Sequence, residues 1–306
     1  MLSKAFQKIA ALRRKVYRLG LLRSTQLKVP VIIVGNITAG GGGKTPMVIW
    51  LVNHLKTLGY KPGIISRGYG GKRKVEPMFV TPHADAHASG DEALLMAQKT
   101  QAPVMVGKDR AKAGKQLIAQ YNVNVIVSDD GMQHYALKRD IEIVMLDAKW
   151  QTGNNMFLPA GPLREPLTRL DEADIVIYKG SFPDKHHYEL GIKSIYPLGH
   201  PSKQIDITTF RSQKIHAVAG IANPNSFFNL LSKEGLAIIK KPLPDHHEIA
   251  FDDLCFDDDY PIMITEKDAV KCDQFDSKNI WVVQLKIIMK PDTIHQINGL
   301  IEGLKK

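Results

Sequence analysis

Apolar and polar positions follow two periods along this chain. Over residues 2–22, Leu2, Phe6, Ile9, Leu12, Val16 and Leu19 recur at spacings of three and four, which predicts one amphipathic helix. Lys4, Lys8, Arg14, Lys15 and Arg18 fall on its other side, and Arg13 stands at the edge of the stripe, where its stem has to snorkel. From residue 31 the pattern changes to short apolar or β-branched runs, at 31–34, 63–66, 103–106, 123–127, 141–146 and 174–179. Helical patterns alternate with several of these runs, at 47–58, from 93, and from 108 to 121. Residues 148–170 are irregular, because Pro159, Gly161, Pro162 and Pro166 hold that stretch out of helix and strand. The pattern loosens over 180–213, where His186-His187 reads as surface. A second alternating series follows, with strands at 215–219, 237–240, 262–265 and 280–285 and helices at 226–233 and 294–304. Strands alternating with helices predict parallel sheet covered on both faces.

Between the first strand and its helix the chain reads T-A-G-G-G-G-K-T, Thr38 to Thr45. Glycines there let backbone N–H groups converge with no Cβ in the way. A helix N-terminus adds unpaired N–H groups and the positive end of the dipole. Lys44 supplies a charge for β- and γ-phosphates, and Thr45 a hydroxyl for Mg²⁺. The expected nucleotide-binding residues are therefore Thr38, Ala39, Gly40, Gly41, Gly42, Gly43, Lys44 and Thr45, although the general motif has glycine where this chain has Thr38. The expected α/β fold is a P-loop NTPase-like parallel-sheet domain over 29–205, followed by a smaller second α/β domain over 206–306. Residues 1–28 form a separate basic helix, and the C-terminal helix is left free to return to the core.

Other side chains with chemistry stand at strand ends, where ligands gather in an open parallel sheet. Arg67 and Tyr69 follow the strand at 63–66 in a glycine-rich turn. Asp91 and Glu92 begin a helical pattern, where acids favour the dipole; a base or a magnesium contact near the phosphates is the equal alternative. Arg110 opens the next helix and faces either a phosphate or solvent. The strand at 123–127 runs into Ser128-Asp129-Asp130-Gly131. A strand-end Asp downstream of a phosphate loop is the carboxylate that holds Mg²⁺ in such enzymes. His134 lies in the same loop, and Arg164 with Glu165 sits on the proline-rich one, suited to gripping a ligand or to connecting elements. In Pro244-Asp245-His246-His247 a histidine suits proton transfer and Asp245 could orient a ring. A helix-start turn and a metal-ligand pair are the alternatives there.

Composition narrows the class. The 306 residues are 44% hydrophobic and 24% charged, enough apolar content for a substantial core. Cys255 and Cys272 show neither metal spacing nor a disulfide framework, which fits a reducing cytosol. The net charge of +10 is uneven: residues 1–28 hold eight lysines and arginines and no acid, leaving about +2 on the rest. A nucleic-acid binder carries its charge on the folded surface, so nucleic acid is not an expected partner. No apolar stretch at the N-terminus approaches the ~20 residues needed to span a bilayer, and nothing there reads as a signal peptide. A basic amphipathic helix either lies on an anionic membrane surface or packs its stripe on the protein body. From the residues alone, the chain is an NTP- and Mg²⁺-dependent enzyme whose acceptor is not readable. A protein-stimulated switch ATPase is the competing reading.

These motifs resemble, in content and order, the tetraacyldisaccharide 4′-kinases of lipid A biosynthesis. The resemblance runs from about residue 29 to 271. Its carriers are Gly35-Asn36-Ile37-Thr38 through Gly43-Lys44-Thr45-Pro46, Ser66-Arg67-Gly68-Tyr69-Gly70, Gly90-Asp91-Glu92 and Asp129-Asp130-Gly131-Met132-Gln133-His134. Leu163-Arg164-Glu165-Pro166, Asp245-His246-His247 and Thr265-Glu266-Lys267-Asp268 complete them. Thr38 is that family's habit, whereas Gly42 and Met132 stand where it more often has Thr and Phe. The resemblance implies ATP with Mg²⁺ as donor and the 4′-hydroxyl of a lipid A disaccharide 1-phosphate as acceptor. It implies a peripheral protein on the cytoplasmic face of the inner membrane of a Gram-negative bacterium, which favours membrane contact by the N-terminal helix. By the same likeness Asp91 is the general base and His246 its partner. Thr45, Glu92, Asp129 and Asp130 form the metal environment, and Arg67, Tyr69, Arg110, His134 and Glu165 position the substrate.

Overall fold

The computed structural model describes residues 2–272, 275 and 279–304. α1 (Leu2–Arg18) stands first. The glycine-loop half follows with β1 (Val31–Gly35), α2 (Lys44–Thr57), β2 (Pro62–Ser66), β3 (Met78–Val80), α3 (Ala86–Ser89) and α4 (Asp91–Thr100). It continues with β4 (Val104–Val106), α5 (Arg110–Gln120), β5 (Val125–Asp129), β6 (Ile141–Asp147) and β7 (Ile175–Lys179). β8 (His187–Pro197) leads into β9 (Lys214–Ala219), α6 (Pro224–Lys233), β10 (Ala237–Pro242) and β11 (Ile262–Thr265). The chain closes with α7 (Glu266–Ala269), β12 (Ile280–Met289) and α8 (Pro291–Gly303).

The strands form one 12-stranded sheet in the order β10-β9-β11-β12-β8-β7-β6-β1-β5-β2-β4-β3. β1 pairs in parallel with β5 and β6, so the glycine loop leaves the middle of its half of the sheet. Val31, Ile32, Ile33 and Val34 are all buried, as a strand covered on both faces requires. One face is covered by α2, through Met47, Val48, Leu51, Val52 and Leu55, together with α8, through Ile297 and Ile301. The other is covered by α5, through Ala111, Ala113 and Leu117. Asn298 on α8 also meets His54 on α2, with Oδ1 2.6 Å from Nε2. The last helix of the chain therefore lies on the first half.

Residues 187–197 correct the sequence reading. They form β8, an 11-residue strand, antiparallel to β12 and parallel to β7. His187 is buried rather than at the surface, with Nδ1 3.0 Å from the Lys185 carbonyl oxygen. β8 passes from one core to another: Tyr188 belongs with α2 and α8, and Ile195 with α6 and β9. A register shift opposite Gln284/Leu285 marks the change.

α1 buries none of its residues fully. The stripe is split: Phe6 and Val16 are half-buried, while Leu2, Ile9, Leu12 and Leu19 each keep more than half their surface exposed. Polar contacts hold the helix to the body. Ser3 Oγ donates to the Phe157 carbonyl at 2.6 Å, and Arg14 and Arg18 pair with Glu172. Among the described residues no helix is long and apolar enough to cross a membrane.

Candidate active site

The glycine loop borders a cleft of about 1630 Å³ that lies between the two halves. Gly40, Gly41, Gly42, Gly43, Lys44 and Thr45 line it. Thr38 and Ala39 do not; they brace the loop from below, Thr38 bridging to Leu163 and the Ala39 N–H donating to the Pro162 carbonyl at 2.7 Å. Gly43 has φ 76°, the left-handed region, and caps α2. The Tyr188 hydroxyl donates to its carbonyl at 2.8 Å. A Cβ at Gly43 would overlap that hydroxyl and come within 2.8 Å of Lys179 Cδ, so only glycine fits.

Two carboxylates lie near Lys44. Asp129 ends β5, fully buried, where burial, then Glu92 and Asp130, push its carboxyl up to about 7. Ser66 Oγ donates to Asp129 Oδ2 at 3.0 Å, while Oδ1 has no hydrogen-bond partner among the described residues. Asp130 is held in the left-handed region at φ 47°. Burial acts to raise its carboxyl, but Lys44 and Arg164 outweigh it and hold it below the usual range. Lys44 Nζ is 3.3 Å from Asp130 Oδ1, and Arg164 is 3.2 Å from Oδ2. An unsatisfied buried carboxylate oxygen in a cleft that Thr45, Glu92 and Asp130 also line fits Mg²⁺, which takes one or two carboxylates and completes its shell with phosphate and water. Among the described residues no group of three or more His, Cys, Asp or Glu is placed to hold a metal ion.

Across the cleft the second half supplies the partners of Asp91. Asp91 is the first residue of α4 and is buried. His246 Nδ1 lies 3.1 Å from Asp91 Oδ2, and the Glu92 N–H donates to Oδ1 at 2.9 Å. Lys267 Nζ and Lys271 Nζ each lie 3.8 Å from the same Oδ2. Lys267 is also 3.3 Å from both Glu92 and Asp245; burial lowers its pKa, but Glu92, Asp91 and Asp245 together raise it above the lysine range. His246 has φ 60°, an uncommon backbone state that histidine tolerates better than most and that collects at functional sites. His247 turns away to Asp253, with Nε2 2.9 Å from Oδ2.

The remaining candidates divide. Arg67, Tyr69 and Glu165 line the cleft, and the Tyr69 ring lies 5.4 Å from that of His246. Glu165 accepts from the Tyr135 hydroxyl at 2.6 Å, and burial raises its carboxyl against that bond and against Arg169. Arg110 and His134 lie beneath the lining. Arg110 is buried, with one guanidinium N–H 3.3 Å from the Gly107 carbonyl and Nε without a partner among the described residues. His134 is pushed down to about 4 by burial and then by Arg110. Sequence reasoning assigned no role to Tyr188, Lys179, Ser66 or Lys271. Lys267 carried a signal, as part of Thr265-Glu266-Lys267-Asp268, but its approach to Asp91 is a tertiary fact.

A loop built to cradle phosphates lines the same cleft as Glu92, His246 and Lys267, and Asp91 lies buried just beneath that lining, held by the histidine and two lysines. That equipment defines a phosphate-loop phosphotransferase. The model of the tetraacyldisaccharide-1-P 4′-kinase family matches residues 1–302. The tetraacyldisaccharide 4′-kinase of Coxiella burnetii (strain Dugway 5J108-111) is 44% identical over 287 residues, covering 94% of this chain and 85% of that protein. That of Methylobacillus flagellatus is 46% identical over 283 residues, covering 92% and 84%. The crystal structure of the "apo" form of LpxK from Aquifex aeolicus in complex with ATP superposes with a TM-score of 0.82 at 27% identity, covering 99% of this chain and 97% of that one. The chain belongs to the tetraacyldisaccharide-1-P 4′-kinase family, and its reaction is the 4′-kinase step of lipid A biosynthesis.

Proposed function

We propose that the cleft moves the γ-phosphoryl group of ATP onto the 4′-hydroxyl of a tetraacyldisaccharide 1-phosphate, with Asp91 as the general base. The observation that carries this assignment is the 3.1 Å contact between His246 and Asp91, which joins residues 155 positions apart beside the phosphate loop. In the transfer a bond forms between the sugar oxygen and the γ-phosphorus, the bond to the β-bridging oxygen breaks, and ADP leaves. Asp91 takes the hydroxyl proton late, as the new bond forms. His246, Lys267 and the Glu92 N–H fix the carboxylate's two oxygens so that one lone pair is directed at the acceptor. Lys44 trades its contact with Asp130 for the β- and γ-phosphate oxygens, and the glycine loop's N–H groups hold the same oxygens. Thr45, Glu92, Asp129 and Asp130 would hold Mg²⁺, which would supply neutralisation of the phosphate charge. Arg67, Tyr69 and Glu165 orient the sugar and its phosphate from the cleft wall, with Arg110 and His134 supporting them from beneath.

α1 carries the membrane part of the reading. Exposed leucines and Ile9 beside lysines and arginines suit the boundary of an anionic bilayer. The enzyme then sits as a peripheral protein on the cytoplasmic face of the inner membrane, where its lipid-linked acceptor is anchored. The test is transfer of labelled γ-phosphate from Mg-ATP to detergent-solubilised disaccharide 1-phosphate, with Lys44→Ala and Asp91→Ala in parallel. Labelled lipid from the wild type alone supports the reading. ATP turnover without labelled lipid would move the assignment to a switch ATPase.

A further inference from the structure

Lys179 ends β7 beside the glycine loop and lines the cleft. Its stem lies against Gly43, where a Cβ would meet Lys179 Cβ at 3.4 Å and Cδ at 2.8 Å. Its side chain is half-buried, and among the described residues its ammonium has no hydrogen-bond or ion-pair partner. The cleft's other cations differ. Lys44, Lys99, Arg164 and Lys267 are each paired with an acid. Arg13, Arg67, Lys149, Lys233 and Lys286 are exposed to solvent. Burial lowers the pKa of Lys179, and Asp147 at the end of β6 only partly opposes it. A desolvated ammonium without a partner is costly, so its place in a cleft needs a ligand that returns the charge contact.

The position says which part of the ligand that is. Lys44 and the carboxylates at the end of β5 take the terminal phosphates, on one side of β1. Lys179 ends β7, across β1 from β5, and packs against Gly43, where Tyr188 also grips the loop. Resting on the ATP reading, we propose that Lys179 is a second phosphate-binding lysine, contacting the nucleoside-proximal phosphate of the bound nucleotide. One cation then grips each end of the triphosphate, with the glycine loop between them. Tyr188 fixes the loop carbonyl that both lysines flank.

Calorimetric titration of ADP, AMP and adenosine into the full-length wild type, Lys179→Met and Lys179→Arg tests this. Methionine keeps the stem against Gly43 and removes the charge, and a thermal melt of each variant reports the fold. Loss of a charge-assisted bond predicts ADP and AMP binding weakened about tenfold or more in Lys179→Met, with partial recovery in Lys179→Arg. Adenosine binding should change less than twofold. ADP affinity within twofold of wild type in a folded Lys179→Met would overturn the assignment. Equal weakening of adenosine and AMP would also overturn it, by placing the lysine on the nucleoside. A wild type that binds none of the three would instead bring down the ATP reading itself.

Discussion

The sharpest consequence of the site concerns Asp91 and His246 as a pair. Asp91→Asn keeps the shape of the side chain and removes the proton acceptor, which costs roughly 10²- to 10⁴-fold in kcat. His246→Ala should cost less, for a reason the geometry supplies. Lys267 and Lys271 remain 3.8 Å from Asp91 Oδ2 when the imidazole is gone. At an effective dielectric constant of about 20, each such pair is worth about 4 kcal/mol before desolvation. The lysines therefore keep most of the charge stabilisation, and the histidine's own share is one directed hydrogen bond to a charged group. Such a bond is worth about 1.5–3 kcal/mol, or roughly 10- to 100-fold in rate. Because that bond acts only through Asp91, His246→Ala in an Asp91→Asn background should cost nothing further, leaving a coupling energy of about 1.5–3 kcal/mol. The assay is initial-rate transfer at saturating Mg-ATP, with the KM for ATP measured for all four proteins. That KM should stay within about twofold, since neither residue touches the nucleotide. Full additivity of the two losses would refute the pairing, and a KM for ATP that rose with the loss of His246 would place the histidine on the wrong substrate.

Other consequences are separable. Asp129→Asn should stabilise the ligand-free protein at pH 8 by a few degrees in a thermal melt while removing Mg²⁺-dependent transfer; a lower melting temperature would refute the account of its burial. The sign follows from a carboxyl near 7 in the fold against 3.8 unfolded. The fold holds that proton more tightly, so stability is lost as pH rises from about 4 to about 7 and the full cost stands above 7. Arg169→Met should cost about 3–5 kcal/mol, roughly 10 °C in melting temperature, because it strips a buried guanidinium from Glu142 and Glu172 and leaves Glu142 buried. A shift under about 2 °C would mean that Arg139 satisfies Glu142 alone. Deleting residues 1–22 should leave calorimetric ATP affinity within about twofold and reduce sedimentation with anionic vesicles severalfold; equal loss of both would make α1 a structural helix.

How much of this was legible in the sequence depends on whether one face of an element meets one surface. β1, β5 and α2 were readable because each face of each element stays in one core along its length: Ile32, Val34, Val125 and Val127 in the core under α2, Val31, Ile33 and Ile126 in the opposite one, so their apolar runs and helical spacing are unbroken. The glycine loop was readable because backbone convergence demands glycine locally. β8 was not, although it is 11 residues long. Tyr188 faces the first core and Ile195 the second, so the alternation that marks a strand changes phase midway, and Gly191 breaks it further. The same property makes β8 important. A strand that changes core partway along has no single alternation of its own, but it carries the Tyr188 hydroxyl from the joint to the Gly43 carbonyl.

The catalytic pairing obeys the same logic at the level of single side chains. Asp91 lies at a helix start, where an acid already has a sufficient local reason to be, and nothing nearby in sequence shows a second. That second reason comes from His246, Lys267 and Lys271, all on the other half and the first two paired with Asp245, which meet the carboxylate only once β8 and β12 have set the two halves face to face. The joint therefore has two outputs: Tyr188 to the phosphate loop, and the register of β12 with β11 to the lysines on Asp91. A change confined to the joint, such as Tyr188→Phe, should then weaken ATP binding by loosening Gly43 while leaving the Asp91 cluster intact. If Tyr188→Phe instead lowered kcat at unchanged KM for ATP, the two outputs would be one, and the phosphate loop and the base would have to be treated as a single unit.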